Sequence, residues 1–186
     1  LASKRNSGDF VPIRQVVMNA MNMIEEASKN KGAVTGIATG FIDLDYKTAG
    51  MQPSDLILVA ARPSMGKTAF VLNIADYIAV RKQKTTLIFS LEMSKEQLVN
   101  RMISSLAEID QQTLRNGRIY GEDWVRLVNA IAPLAEAPVY IDDTPAISVR
   151  EVRAKARRLK AEHGLAMIII DYLQLRNANG VNFGSR

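Results

Sequence analysis

Asp55-Leu56-Ile57-Leu58-Val59-Ala60-Ala61-Arg62-Pro63-Ser64-Met65-Gly66-Lys67-Thr68 is the stretch on which the reading of this chain turns. Leu56 to Ala60 is a short apolar run that predicts a strand. Ala61 to Thr68 ends in Gly-Lys-Thr and leads into Thr68 to Arg81, which reads as a helix. Strand, loop and helix in that order are the context of a P-loop. The chemistry needs these residue types. A small residue at Gly66 lets backbone N–H groups converge on phosphate oxygens. Lys67 offers a point charge to the β- and γ-phosphates of a nucleotide. The Thr68 hydroxyl can ligate Mg²⁺. The helix that follows, through Thr68 and Ala69, adds the positive end of its dipole. The motif departs from the common form at its first position, where Ala61 stands in place of Gly, and Ala is strained only if φ is positive. Ala61, Arg62, Pro63, Ser64, Met65, Gly66, Lys67, Thr68 and Ala69 are therefore the expected nucleotide-binding residues, with ATP and Mg²⁺ the expected cofactors.

Downstream of this stretch strands and helices alternate. Thr85 to Ser90, Val139 to Ile141 and Met167 to Ile170 read as strands. Ser94 with Gln97, and Ser148 with Glu151, form capping boxes that open helices; Glu122 to Leu134 reads as another helix. Buried strands separated by helices imply an α/β architecture with a largely parallel sheet. Upstream, a helix is expected over Phe10 to Asn30. Asp9 can cap it, Pro12 suits its first turn, and Ile13, Val17, Ala20, Ile24 and Ala27 share a stripe. It reads as an arm that packs on its own domain or on a neighbouring subunit. Leu1 to Gly8 is expected to be disordered.

A P-loop needs a carboxylate for Mg²⁺ at the end of a neighbouring strand. Asp171 ends the more fully apolar strand and is the preferred candidate. Asp142 and Asp143 precede Thr144-Pro145 and read as a solvated turn rather than a metal site. Glu92 lies just past the strand Thr85 to Ser90, where α/β sheets gather ligands. Position alone leaves two readings open: a base for the water that attacks the γ-phosphate, or an acid helped by the dipole of the next helix.

The composition sets limits. The chain holds 186 residues with no Cys, which excludes disulfides and thiolate metal sites. Its longest apolar runs, such as Leu165 to Ile170, are too short to span a bilayer, so no membrane partner and a cytoplasmic location are expected. A net charge of +5 permits nucleic-acid binding without demanding it.

Several motifs together resemble one family. The P-loop, including its Ala61, looks like that of DnaB-type replicative helicases. Phe89-Ser90-Leu91-Glu92-Met93-Ser94 is similar to the family motif that follows, and Ile169-Ile170-Asp171-Tyr172-Leu173-Gln174-Leu175 to its Walker B segment. Thr39-Gly40-Phe41, Leu44-Asp45 and Thr48-Ala49-Gly50 resemble the entry to its motor domain. The resemblance runs from about Phe10 to Leu175. It implies a RecA-like fold and a homohexameric ring around single-stranded DNA, with ATP at subunit boundaries. It also implies Glu92 as catalytic base beside the catalytic Lys67, Thr68 and Asp171 acting on Mg²⁺, and Phe10 to Asn30 as the linker helix that docks on the next subunit. The substrate implied is a forked duplex, and the partners are primase, a helicase loader and the polymerase machinery.

The resemblance divides the chain into a disordered start with linker helix over 1–32, an incomplete RecA-like ATPase core over 33–175, and a polar tail over 176–186, expected to be a trimmed or artificial end. No counterpart is found of the later strands that carry the family's arginine finger, a residue that contributes about 10³–10⁵ in rate in related enzymes. Competing readings are a RecA-like recombination or repair ATPase, a non-catalytic ATP-binding assembly module, and a small-molecule P-loop kinase. The motifs around Glu92 and Asp171 argue against the first, and no lid segment supports the last.

Three weaker signals complete the reading. Arg150, Arg153, Arg157 and Lys160 form a basic stripe, joined by Lys155 and Arg158, which reads as a solvated or inter-subunit face rather than a phosphate track. His163 reads as a helix-end residue and not a ligand. Trp124, at helical spacing with Leu127 and Val128, is expected in the core.

Overall fold

The structure, a computed structural model, describes residues 10–29 and 34–171. The expectations for Leu1 to Asp9, for Tyr172 to Leu175 and for the tail lie outside these residues. The chain divides into two compact units, Leu1–Asp55 and Leu56–Arg186.

In the first unit, α1 spans Ile13–Lys29 and α2 spans Ile42–Thr48. Pro12 lies immediately before α1, and its carbonyl accepts from the N–H groups of Gln15 and Val16. The apolar stripe of α1 is uncovered: Ile13, Val17 and Ile24 are 75%, 50% and 64% exposed. The turn into α2 is held by a buried carboxylate. Asp45 accepts from the Thr39 N–H and hydroxyl, both at 2.8 Å, and from the Gly40 N–H at 3.1 Å. Close by, Gly36 N–H donates to Ala49 O, and Ile37 pairs with Met51 in an isolated antiparallel bridge. A Cβ on Gly36 would lie 2.4 Å from the Met51 carbonyl oxygen, so only glycine fits there. Asp45→Ala would strand three donors, two of them on buried Thr39. It is expected to lower stability by about 2–4 kcal/mol in denaturant unfolding; Asp45→Asn, which retains an acceptor, should lose less.

In the second unit, a three-stranded parallel sheet has the order β2-β1-β3, with β1 at Thr86–Ser90, β2 at Val139–Asp142 and β3 at Met167–Asp171. Every residue of β1 is buried, as its near-continuous apolar sequence requires of a central parallel strand. Successive side chains serve opposite faces. Ile88 packs with Leu72 and Ala75 of α3 (Lys67–Asp76) and with Leu98 and Met102 of α4 (Lys95–Ala107). Leu87 and Phe89 pack with Val152, Ala156 and Leu159 of α7 (Val149–His163). The result is three layers, helix–sheet–helix. Both capping boxes form as expected, at Ser94 with Gln97 and at Ser148 with Glu151. Between α4 and β2 lie α5 (Gln111–Asn116) and α6 (Glu122–Glu136), packed on α4 through Ala107, Ile109, Leu127 and Ala130.

Two expectations require correction. Leu56 to Ala60 forms no strand: it pairs with neither sheet edge, and Leu56 and Leu58 are 84% and 71% exposed. Its composition favours a strand, but a strand also needs a neighbour's ladder of N–H and C=O groups. Trp124 is not in the core. It is 54% exposed on the outer side of α6 with Val128 and Ile131, while Leu127 and Ala130 face inward. The helix is apolar on two sides, and spacing alone did not say which one packs. The helix after the P-loop covers the span expected of it, through Arg81, with α3 passing into a π-helical turn over Tyr77–Arg81.

At that junction Asp76 is buried, and neither carboxylate oxygen has a hydrogen-bond partner among the described residues. Desolvation raises its pKa from 3.8 to about 7. The folded state therefore tolerates the protonated acid. Stability is greatest below the unfolded pKa near 3.8, falls as pH rises towards 7, and is flat above. Asp76→Asn is expected to stabilise the chain by about 2 kcal/mol more at pH 8 than at pH 5. Thermal melts at the two pH values check this, and an equal shift at both would contradict it.

Candidate functional site

The loop Ala61 to Gly66 turns sharply before α3. Ser64 and Gly66 have positive φ, 64° and 84°, whereas Ala61 does not. Ala at the first position is thus unstrained, and the glycine requirement falls on Gly66. Among the described residues no neighbour would meet a Cβ at Gly66, so what demands glycine there is backbone conformation and not crowding. The turn is closed by Met65 N–H donating to Arg62 O at 3.3 Å, and Phe70 N–H donates to Gly66 O at 2.9 Å in the first turn of α3.

The first residues of α3 meet the end of β3. The Thr68 hydroxyl donates to Asp171 Oδ2 at 2.7 Å, and Lys67 Nζ lies 3.3 Å from Asp171 Oδ1. Asp171 is 8% exposed, so this carboxylate, cation and hydroxyl meet in a poorly solvated corner. Residues 103 positions apart are brought together because β3 lies directly beside β1 in the sheet.

Glu92 sits on the loop that leaves β1. Two contacts fix that loop: Leu91 N–H donates to Asp171 O at 2.8 Å, and Ser90 Oγ accepts from Met93 N–H at 3.2 Å while donating to Met93 O at 2.6 Å. Glu92 is exposed and lines a cleft of about 940 Å³ together with Ala61, Arg62, Pro63, Ser64, Gly66, Lys67, Thr68 and Ala69. Among the candidates Met65 is not part of that lining; its side chain is 73% exposed.

The far wall of the cleft was not anticipated. It comes from Gln97, Asn100 and Arg101 of α4 and from Gln111, Leu114 and Arg115 of α5. The spacing of 97, 100 and 101 marks one helix face opposite the buried Leu98 and Met102. That pattern was available in the sequence, but nothing in it said that this face meets the P-loop.

Asp142 and Asp143 are occupied elsewhere. Asp142 pairs with Lys155 and accepts from Thr144 N–H at 3.0 Å. Burial raises the pKa of Asp142, but the Lys155 and Thr144 hydrogen bonds outweigh it and the net shift is downward. Asp143 accepts from the Lys95 N–H at 3.0 Å at the start of α4, and that bond leads the causes of its lowered pKa. The pair shapes a turn, in line with the expectation. The His163 ring stacks on Tyr140 with centroids 5.4 Å apart, and its carbonyl accepts from Thr85 Oγ1 at 3.2 Å. No cluster of three or more His, Cys, Asp or Glu suited to a metal occurs among the described residues. A Mg²⁺ ion that takes most of its ligands from phosphate and water needs none, and the Thr68 hydroxyl beside the Asp171 carboxylate suits such an ion. No helix among the described residues is long and apolar enough to cross a membrane.

A family model described as the DnaB-like helicase C terminal domain matches residues 36–186. The chain is 51% identical over 180 residues to the replicative DNA helicase DnaC of Bacillus subtilis (strain 168), covering 97% of this chain and 40% of that protein. It is 49% identical over 180 residues to the replicative DNA helicase DnaB of Geobacillus stearothermophilus, with the same coverage. The chain thus spans about 40% of the length of these relatives. Among solved structures it is similar to the ATPase domain of G40P, with a TM-score of 0.84 and 33% identity over 93% of this chain and 62% of that one. It is also similar to a DnaB-like replicative helicase studied with primase, with a TM-score of 0.81 and 33% identity over 93% of this chain and 42% of that one. A parallel α/β sheet, a P-loop meeting the acid at the end of β3, and these likenesses agree: the chain belongs to the DnaB-like helicase C-terminal domain family.

Proposed function

We propose that this chain is the ATP-binding motor portion of a cytoplasmic replicative helicase that couples ATP hydrolysis to movement on single-stranded DNA and unwinding of a forked duplex. The observation that carries the reading is the convergence of Lys67 and Thr68 on Asp171. In this reading the backbone N–H groups of Ser64 to Gly66, with the start of α3 at Thr68 and Ala69, receive the phosphates. Lys67 neutralises the β- and γ-phosphate oxygens. Thr68 and Asp171 would hold Mg²⁺, and the ion would supply positive charge against the phosphoryl oxygens. Glu92, across the cleft, orients the attacking water and takes its proton.

Two further parts of the reading concern assembly. The uncovered apolar stripe of α1 supports docking on a neighbouring subunit and a homohexameric ring. Primase and a loader are the protein partners that the family suggests for the assembled ring. The test is made on the full-length parent. Its ATPase activity should rise with single-stranded DNA, and it should unwind a forked duplex only with hydrolysable nucleotide. ATP turnover that ignores DNA and leaves forks intact would count against the motor reading.

A further inference from the structure

Helix α7 sorts its charges by flank. Its buried residues, Val152, Ala156 and Leu159, define the inward face. At 3.6 residues per turn, Arg150, Arg153, Arg157 and Lys160 fall within a sector of about 80° to one side of that face. All four are exposed, and none makes an ion pair among the described residues. The two acids of the helix, Glu151 and Glu162, lie on the other flank. There Glu151 completes the Ser148 capping box, and Glu162 lines the cleft between α7 and β2. Lys155 and Arg158 belong to that mixed flank too, Lys155 paired with Asp142, so they do not extend the stripe as the sequence had suggested.

From this segregation we infer that the Arg150–Lys160 flank of α7 is a second nucleic-acid contact, a ladder for sugar-phosphate backbone separate from the nucleotide cleft. It names nucleic acid as the polyanion on the strength of the proposed motor function. The first and last of the four cations are ten positions apart, about 15 Å at 1.5 Å per residue. One strand of a duplex presents about four phosphates over that length. Three of the four are arginines, whose planar fork suits phosphate bidentately. The sector offers no aromatic anchor of the kind that centres a protein interface, and none on which a base could stack. The contact is therefore to phosphate, without sequence preference, and it adds to affinity through counterion release.

The experiment measures anisotropy of a labelled oligonucleotide, single-stranded and duplex, bound by the 186-residue chain across a salt series. The comparison is with R150Q/R153Q/R157Q/K160Q; Gln is a good helix former at exposed positions, and a thermal melt confirms folding. Each lost phosphate contact lowers the slope of log K against log salt by about 0.7–0.9. The quadruple variant is expected to lose about 3–4 in slope, and the variant R150K/R153K/R157K to keep it. Binding of a fluorescent magnesium nucleotide is followed in parallel and should be unchanged. An unaltered slope, no oligonucleotide binding by the parent chain at 50 mM salt, or equal competition by poly-glutamate of matched charge would each overturn the inference. The last would assign the flank to an acidic protein. Failure of the parent chain to bind the magnesium nucleotide, with the quadruple variant still losing salt slope, would instead count against the nucleotide site and leave the ladder standing.

Discussion

Lys67→Ala is expected to abolish ATP hydrolysis by the full-length parent and to weaken magnesium-ATP binding by this chain about 10- to 100-fold. The side chain reaches the cleft and stands 3.3 Å from Asp171 in a corner where the acid is nearly buried. A unit charge about 4 Å from a phosphate oxygen is worth about 4 kcal/mol at an effective dielectric of 20, before the desolvation that offsets part of it. A tenfold loss of affinity corresponds to about 1.4 kcal/mol, well within that range. Lys67→Arg keeps the charge but replaces a compact ammonium with a planar fork, and should recover binding more than turnover. Steady-state ATPase and nucleotide titration separate the two effects. Wild-type turnover in Lys67→Ala would remove Lys67 from the site.

Glu92→Gln should behave differently, with nucleotide binding retained and turnover reduced about 10²–10⁴-fold, the range general-base catalysis supplies. Gln keeps the size and hydrogen-bonding reach of the side chain but cannot take a proton. Because Glu92 is exposed and its loop is held by Ser90 and by Leu91 N–H, the substitution should leave the fold intact. Asp171→Asn gives a contrasting signature. It should impair the magnesium dependence of binding as well as turnover, because that carboxylate touches both Lys67 and Thr68. Turnover by Glu92→Gln at the parent rate would assign the base elsewhere.

The parts of this molecule legible in the sequence are those set by local chemistry. Ser94 with Gln97 and Ser148 with Glu151 announced α4 and α7, since a capping box satisfies its donors within four residues. The strands β1, β2 and β3 were visible as short apolar runs between helices. Asp171 was found because an acid that ends an apolar strand beside a P-loop has few other places to go. What stayed hidden depends on partners distant in sequence. Leu56 to Ala60 has the composition of a strand, yet no ladder partner meets it among the described residues. Trp124 sits on a helix with two apolar sides, and only the packing of Leu127 and Ala130 against α4 decides which is inward. The far wall of the cleft, including Arg101 and Arg115, depends on how α4 and α5 stand over the loop. The lone carboxylate of Asp76 reads in sequence as an ordinary polar helix position; its burial is a tertiary fact.

The central claim is that the corner formed by the Ser64–Gly66 turn, Lys67, Thr68 and Asp171 is a receptor for a triphosphate. Calorimetric titration of this chain with ATP, with and without magnesium, tests it most directly. The account predicts saturable binding of one nucleotide per chain, tighter with the metal present and weakened in Lys67→Ala. Absence of binding under both conditions by a chain whose melt shows it folded would contradict it.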